Sequence, residues 1–323
     1  MKPSNWFDKP WWKVVKWFIV LLAYGYLAYK LATYDDYATL WTTLNFKLFN
    51  LPTSLNFKLS TLNFISALAL MPINILLEAV KWRFLNREIE TMSLCEAQRQ
   101  VYIGFIGAFL TPYRVGDFPS RAMCLRDKSR WGEATVMGFV GGVALTLVIV
   151  VIGLLPAVFY FNQTPAWWQV LLAIVGCLAV GLLAPYLLKK HAECADAPLN
   201  FKLSNLSTSL NFKLSTFNFI AAAGWSLLRY LVFGLQLYLV LRWVGVPMSV
   251  TEALVSIPFY YLLVTLTPNM PIADVGIRGS WAMVVFGRYA DVPLVTAAVV
   301  VVYVINTLLP MVVGSILMLC RKS

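Results

Sequence analysis

Long uncharged apolar runs constrain this chain more than any other feature. Stretches near Trp17–Tyr29, Ile65–Leu77, Val136–Val158, Trp167–Leu188 and Val292–Leu319 approach or exceed the ~20 residues that a helix needs to cross a bilayer. In lipid, every backbone N–H and C=O must be paired within the protein, so a spanning run folds as a helix or joins a closed barrel. A barrel is excluded because these runs are continuous rather than alternating. Apolar residues make up 60% of the chain and charged residues only 13%, against about 25% charged in soluble domains. The expected class is all-α: a polytopic integral membrane protein, with residues 1–323 forming one membrane domain.

The pattern predicts long helices over 11–33, 65–86, 133–160, 167–190, 219–243 and 292–319, with shorter apolar segments at 96–110, 250–266 and 276–289. Residues 1–35 have the charge order of a signal peptide but no small-x-small cleavage site, so they are expected to stay as an anchor helix. The net charge of +11 reads as a set of topology signals beside membrane spans rather than as a nucleic-acid surface. Five cysteines form no CxxC pair, and His191 with Cys194 offers two ligands where a zinc site needs four. No metal, cofactor or disulfide framework is expected.

One short element is written twice. Met92-Ser-Leu-Cys-Glu96-Ala and Met248-Ser-Val-Thr-Glu252-Ala share the pattern M-S-x-x-E-A, and each precedes an apolar run that ends in Thr-Pro (Thr111-Pro112 and Thr267-Pro268). The copies lie 156 positions apart (92 to 248, 112 to 268). Each leads into a glycine, an aspartate and an arginine: Gly116, Asp117 and Arg121, then Asp274, Gly276 and Arg278.

Charge assigns these elements to the membrane. Basic residues flank the first short segment on both sides, with Arg87 and Arg99 before it and Arg114 and Arg121 after it. A full crossing would put one cluster in the wrong compartment. Ten uncharged residues, Val101–Leu110, rise only about 15 Å as a helix, half the hydrocarbon thickness. A re-entrant segment that dips in and returns satisfies both observations. If the second segment does the same from the opposite face, 19 basic residues fall inside and six outside, with Arg229 within a helix. Both termini are then cytoplasmic. The expected architecture is about six full spans plus two re-entrant segments, in an inverted repeat with repeat one at 65–132 and repeat two at 220–290.

A second duplication is of another kind. Residues 44–64 and 199–219 differ at only three of 21 positions, and LNFKL recurs within each. The flanking helices have diverged far more, so these are read as recent low-complexity loop inserts. Their alternation suits an amphipathic strand or a segment lying on the membrane surface.

Ionisable side chains at membrane depth are costly and therefore functional candidates. Arg229 sits about ten residues into its helix, where it either pairs with an acid or meets an anionic substrate group. Gln236 lies on the same face two turns on. Glu78 has Lys81 at i+3 and reads as a structural pair, and Asn306 reads as interhelical glue. Gly138 and Gly142 have the spacing of a close-packing helix face. Arg114 and Arg121 offer forks that match phosphate oxygens, with Asp117 as the competing partner. No nucleophilic triad, DxD, HExxH, Walker A or dinucleotide loop is present.

Glu78-Ala-Val-Lys-Trp-Arg83, Pro112-x-Arg114-x-Gly116-Asp117-x-x-x-Arg121 and Pro268-x-x-Pro271-x-x-x-x-Gly276-x-Arg278 occur in that order. Together they resemble the lysylphosphatidylglycerol synthase transmembrane-region family, also called the flippase-like domain family. Ile272 and Ala273 stand where the family usually has glycines, and Gly279 stands where it has an acid. The resemblance implies a lipid-handling membrane domain without the soluble aminoacyl-transferase domain of the full-length synthases. The site residues carried over or read directly are Arg114, Gly116, Asp117, Arg121, Arg229, Asp274, Gly276 and Arg278.

The expected function is flippase-like translocation of a phosphate-bearing lipid between leaflets, in the plasma (inner) membrane. The partners are the phospholipid or lipid-phosphate substrate and membrane lipids, with no nucleic acid. The alternative is a membrane enzyme or enzyme subunit in lipid-linked glycosyl transfer; the missing DxD motif and soluble lobe argue against autonomous catalysis.

Overall fold

The computed structural model describes residues 55–111, 114–161, 175, 216–267 and 274–319. Among them all regular structure is helical. In chain order the helices are α1 (Leu55–Leu85), α2 (Leu94–Leu110), α3 (Asp117–Ala122), α4 (Trp131–Phe161), α5 (Thr216–Val244), α6 (Val250–Leu266), α7 (Asp274–Phe286) and α8 (Val292–Leu319). Four helical stretches are long and apolar enough to cross a membrane: Thr61–Leu85, Lys128–Phe161, Asn218–Val244 and Val292–Leu319. The helices expected over 11–33 and 167–190 lie outside the described residues, as do His191, Cys194, Ile272 and Ala273.

The LNFKL inserts are corrected in part. Residues 55–64 continue directly into α1 as helix rather than forming a strand. A two-residue alternation carries little weight where a spanning helix begins, because extending that helix satisfies each backbone group locally. The rest of the first insert, and the second up to residue 215, lie outside the described residues.

The duplicated hexapeptide is a helix start. Ser93 caps α2 by accepting from the Glu96 N–H, while Glu96 accepts from the Ser93 N–H at 2.8 Å. Ser249 and Glu252 do the same at the start of α6, again at 2.8 Å. These are reciprocal capping boxes, which satisfy two of the amide donors a helix N-terminus leaves orphaned. The hydrogen bonds made by Ser93 and Ser249 hold the Glu96 and Glu252 carboxyls below their usual range. Both capped helices run 17 residues and end at their Thr-Pro pair, with the threonine extended.

α1 and α5 form the centre. Arg87 donates to Asn218, Lys81 to Ser226 and Arg229 to Glu78, Gln236 donates to the Ala67 carbonyl, and Phe64 stacks on Trp243. As the position falls from 87, just past α1, to 64 within it, its partner in α5 rises from 218 to 243, so the two helices are antiparallel. Ile65, Ile73, Leu227, Leu231 and Leu235 are exposed on the outer faces, where lipid tails supply the apolar surroundings.

α8 packs on the short helix α2 of the first half, and α4 on the short helix α6 of the second. Arg99 of α2 donates to the Leu317 carbonyl of α8, and Gly314 of α8 lies on the Tyr102 carbonyl. Gly153 of α4 lies on Leu262 and the Pro258 carbonyl of α6. Tyr102 and Pro258 are themselves 156 positions apart (102 to 258), so equivalent backbone sites receive a glycine from the opposite half. Gly138 and Gly142 of α4 accommodate the Phe118 ring of α3, the close-packing face expected from their spacing.

A Cβ at Gly314 would fall on the Tyr102 carbonyl oxygen, and two helix backbones must separate to admit it. Gly314→Ala is expected to destabilise the protein by about 1–3 kcal/mol, read as a lowered melting temperature in detergent. Gly132→Ala meets nothing within 4 Å and is expected to leave stability unchanged or raise it by up to about 1 kcal/mol.

Candidate functional site: a cationic cavity

The site begins with Glu78, on the inner face of α1 and 4% exposed. The expected Lys81 pair forms at 2.8 Å, but the same carboxylate also meets Arg121 at 2.7 Å and Arg229 at 2.6 Å. One carboxylate thus joins α1, α3 and α5. A buried ion pair recovers its desolvation cost only when every lone pair and proton finds a partner. Lys81 accordingly also donates to the Gly141 carbonyl of α4 and to Ser226.

Arg121 shows how completely a guanidinium can be occupied. Asp117, one turn earlier on α3, accepts from its Nε and Nη2, both at 2.7 Å, and Glu78 takes Nη1. Arg121 is only 2% exposed. Its approach to α2 depends on missing side chains: a Cβ at Gly104 would collide with Asp117 and Arg121, and one at Gly107 with Ser120 and Gly116. Gly116 rests against the Gly107 carbonyl, and its N–H donates to the Thr111 hydroxyl at 2.7 Å. The second motif repeats the ion pair: Arg278 Nε donates to Asp274 Oδ1 at 2.6 Å, again at i,i+4. Gly276 is buried between them in sequence.

From Arg229 a directed chain of amides crosses the molecule. Its Nε donates to Asn74 Oδ1 at 2.8 Å, and Asn74 donates to Asn306 at 3.1 Å. Asn306 donates to Gln236 at 2.7 Å, and Gln236 donates to the Ala67 carbonyl at 2.7 Å. Each amide in the chain both gives and accepts. Asn306 sits in a π-helical turn, Val304–Leu308, within α8. Such turns mark local widening of a helix and are frequent at functional sites. Pro310, just beyond it, removes a backbone donor from the same stretch.

A cavity of about 430 Å³ opens beside this chain, within the 300–1,000 Å³ range of ligand sites. Arg114, Arg229 and Arg278 line it together with Asn74, Asn306 and Tyr260. No carboxylate is among its described lining residues. Arg114 is held in the left-handed backbone region, φ 58°, a conformation that costs a non-glycine residue roughly 1–2 kcal/mol. Its guanidinium lies 5.4 Å from the Phe105 ring centroid. Among the described residues it meets no carboxylate within ion-pair distance.

The eight expected site residues thus divide by position. Arg114, Arg229 and Arg278 face the cavity, Asp117, Arg121 and Asp274 hold charge behind it, Gly116 lets two backbones pack, and Gly276 is buried in α7. Arg229 pairs with an acid, Glu78, the first of the two alternatives expected of it, and it also lines the cavity. Glu78 goes beyond the local pair with Lys81, because only the fold brings Arg121 and Arg229 to it. Asn74 and Tyr260 carry no sequence signal. Single polar atoms in apolar runs were the available clue, and they do not say which face of a helix looks inward.

Fold and site together define a multi-pass helical membrane protein with an arginine-lined cavity. The model of the family described as the lysylphosphatidylglycerol synthase TM region matches residues 14–314, and the chain belongs to that family. Comparison with curated proteins and with solved structures gave no significant match.

Glu78→Gln removes the shared anion and leaves Arg121, Arg229 and Lys81 in excess. A loss of about 3–5 kcal/mol is expected, measured by thermal unfolding in detergent. Asp274→Asn disturbs one i,i+4 pair and is expected to cost less.

Proposed function

We propose that this protein translocates a phosphate-bearing lipid between the leaflets of its membrane, as a flippase-like transporter. The observation that carries the proposal is the convergence of Arg114, Arg229 and Arg278 on one cavity with no carboxylate among its described lining residues. Guanidinium forks bind phosphate oxygens bidentately, and in a low-dielectric cavity such contacts are stronger than in water. Membership in a family of lipid-handling membrane regions agrees with this chemistry.

The arrangement of the halves supports transport rather than simple retention. Arg229 and Asn74, which hydrogen-bond to each other, are 155 positions apart, within one residue of the repeat interval. Equivalent positions of two halves touch where the relation between the halves passes, and α1 and α5 are antiparallel there. We read the architecture as an inverted repeat, the arrangement in which secondary transporters place substrate sites near the midplane. α2 and α6, at 17 residues each, rise about 26 Å, short of the ~30 Å hydrocarbon thickness. They serve as the re-entrant elements, and four long helices with those expected over 11–33 and 167–190 make six spans. The excess of basic residues around the first motif puts both termini in the cytoplasm of a plasma (inner) membrane protein.

In this scheme Arg114 receives the headgroup from the inner leaflet, Arg229 holds its phosphate at depth, and Arg278 delivers it outward. Arg121 is held behind Arg114 by Asp117 and Glu78 and does not share that role. Arg229→Gln leaves Glu78 with Lys81 and Arg121, so the fold is expected to persist. Translocation of a fluorescent lipid phosphate in reconstituted vesicles is expected to fall about tenfold or more, the scale of a lost charged hydrogen bond. Unchanged translocation by a correctly inserted Arg229→Gln protein would sink the proposal.

A further inference from the structure

The buried charges at the site do not balance. Lys81, Arg114, Arg121, Arg229 and Arg278 face Glu78, Asp117 and Asp274, so five cations meet three carboxylates. Residues 112–113 and 268–273, which adjoin site residues in the sequence, contain no lysine, arginine, aspartate or glutamate. Outside these eight residues, the described charged side chains lie at helix ends and in the connecting segments. Among the described residues two positive charges remain at membrane depth, where uncompensated charge is expensive.

The surplus lies on the cavity side. Arg121 and Lys81 are tied to carboxylates away from the cavity wall, and Arg278 is tied through its Nε. Among the described residues Arg114 makes no ion pair at contact distance; it lies against the Phe105 ring, feels Asp117 and Asp274 only at longer range, and keeps a strained backbone to hold its place. Strain persists where the surroundings over-determine it, and it concentrates at ligand sites. A neutral donor waits there too. The Tyr260 hydroxyl is buried on the cavity wall beside Arg278, where a phenol O–H can donate to a ligand oxygen.

We infer that the cavity is matched to a headgroup carrying two negative charges, a lipid phosphomonoester or a diphosphate diester, in preference to a singly charged phosphodiester. This inference rests on the proposed lipid-phosphate reading and adds the charge class of the substrate. A dianion neutralises the surplus completely, whereas a phosphodiester leaves one positive charge buried. A phosphomonoester loses most of its second charge below its pKa near 6; a phosphodiester does not change over the same range.

The test is direct binding to the purified full chain in detergent, followed by native mass spectrometry. The probes are dioleoyl phosphatidic acid, dioleoyl phosphatidylglycerol and glycerol 3-phosphate, each at pH 8 and pH 5.5. Phosphatidic acid is expected to bind about tenfold or more tightly than phosphatidylglycerol at pH 8, and to lose most of that advantage at pH 5.5. Arg114→Gln removes one surplus charge and should bring the two lipids to within about threefold. If that variant does not fold, the pH comparison on the unaltered protein decides alone. Equal binding of the two lipids at pH 8, or an undiminished preference in Arg114→Gln, overturns the charge match while leaving lipid translocation standing. Glycerol 3-phosphate binding as tightly as phosphatidic acid has the opposite meaning: the dianion site stands and the lipid reading fails.

Discussion

One carboxylate organises the interior. Glu78 takes three cations from three helices, and without it Lys81, Arg121 and Arg229 would repel one another in a medium that screens poorly. Its position fixes how deep α3 sits against α2 and how α1 crosses α5. The glycines at 104, 107 and 116 are a consequence, since α3 reaches Glu78 only if the two backbones pass almost in contact. The amide chain through Asn74, Asn306 and Gln236 extends the same logic into α8, where a π-helical turn aims Asn306 at its neighbours.

Neutralisation behind the wall is what leaves the cavity usable. Asp117 and Glu78 occupy Arg121 on all sides, and Asp274 steadies Arg278 through a single nitrogen. The arginines lining the cavity are therefore held in place and not wholly spent. Preorganised donors of this kind bind an anion without first breaking an internal pair. Among the described residues the cations at the site outnumber the carboxylates, and in the proposed reading an anionic ligand offsets the difference.

Much of this was legible before any coordinates. Apolar runs placed the four long described helices to within a few residues, except where α1 starts ten residues early inside a repeat that reads as extended. The M-S-x-x-E-A copies marked a duplicated element, and the structure shows that each is a capping box, local chemistry decided by residues three apart that the duplication alone did not declare. Arg229 stood out because an arginine in an apolar run has few innocent explanations. Glu78 did not, because Lys81 one turn away already accounts for it. Asn74 and Tyr260 were invisible as site residues, since an asparagine or tyrosine in a helix declares nothing about which neighbour it faces.

The sequence by itself determined the class, the four long described helices and the family, all of which follow from hydropathy, spacing and short motifs along the chain. Only the tertiary structure decided that Glu78 is shared by three cations, that α1 and α5 cross antiparallel at equivalent residues, and that Arg114, Arg229 and Arg278 look into one space. Those facts depend on which helix faces are brought together. Contacts between residues 43 and 151 positions from Glu78 have no local signature, because what selects them is the need to neutralise buried charge once the helices have met.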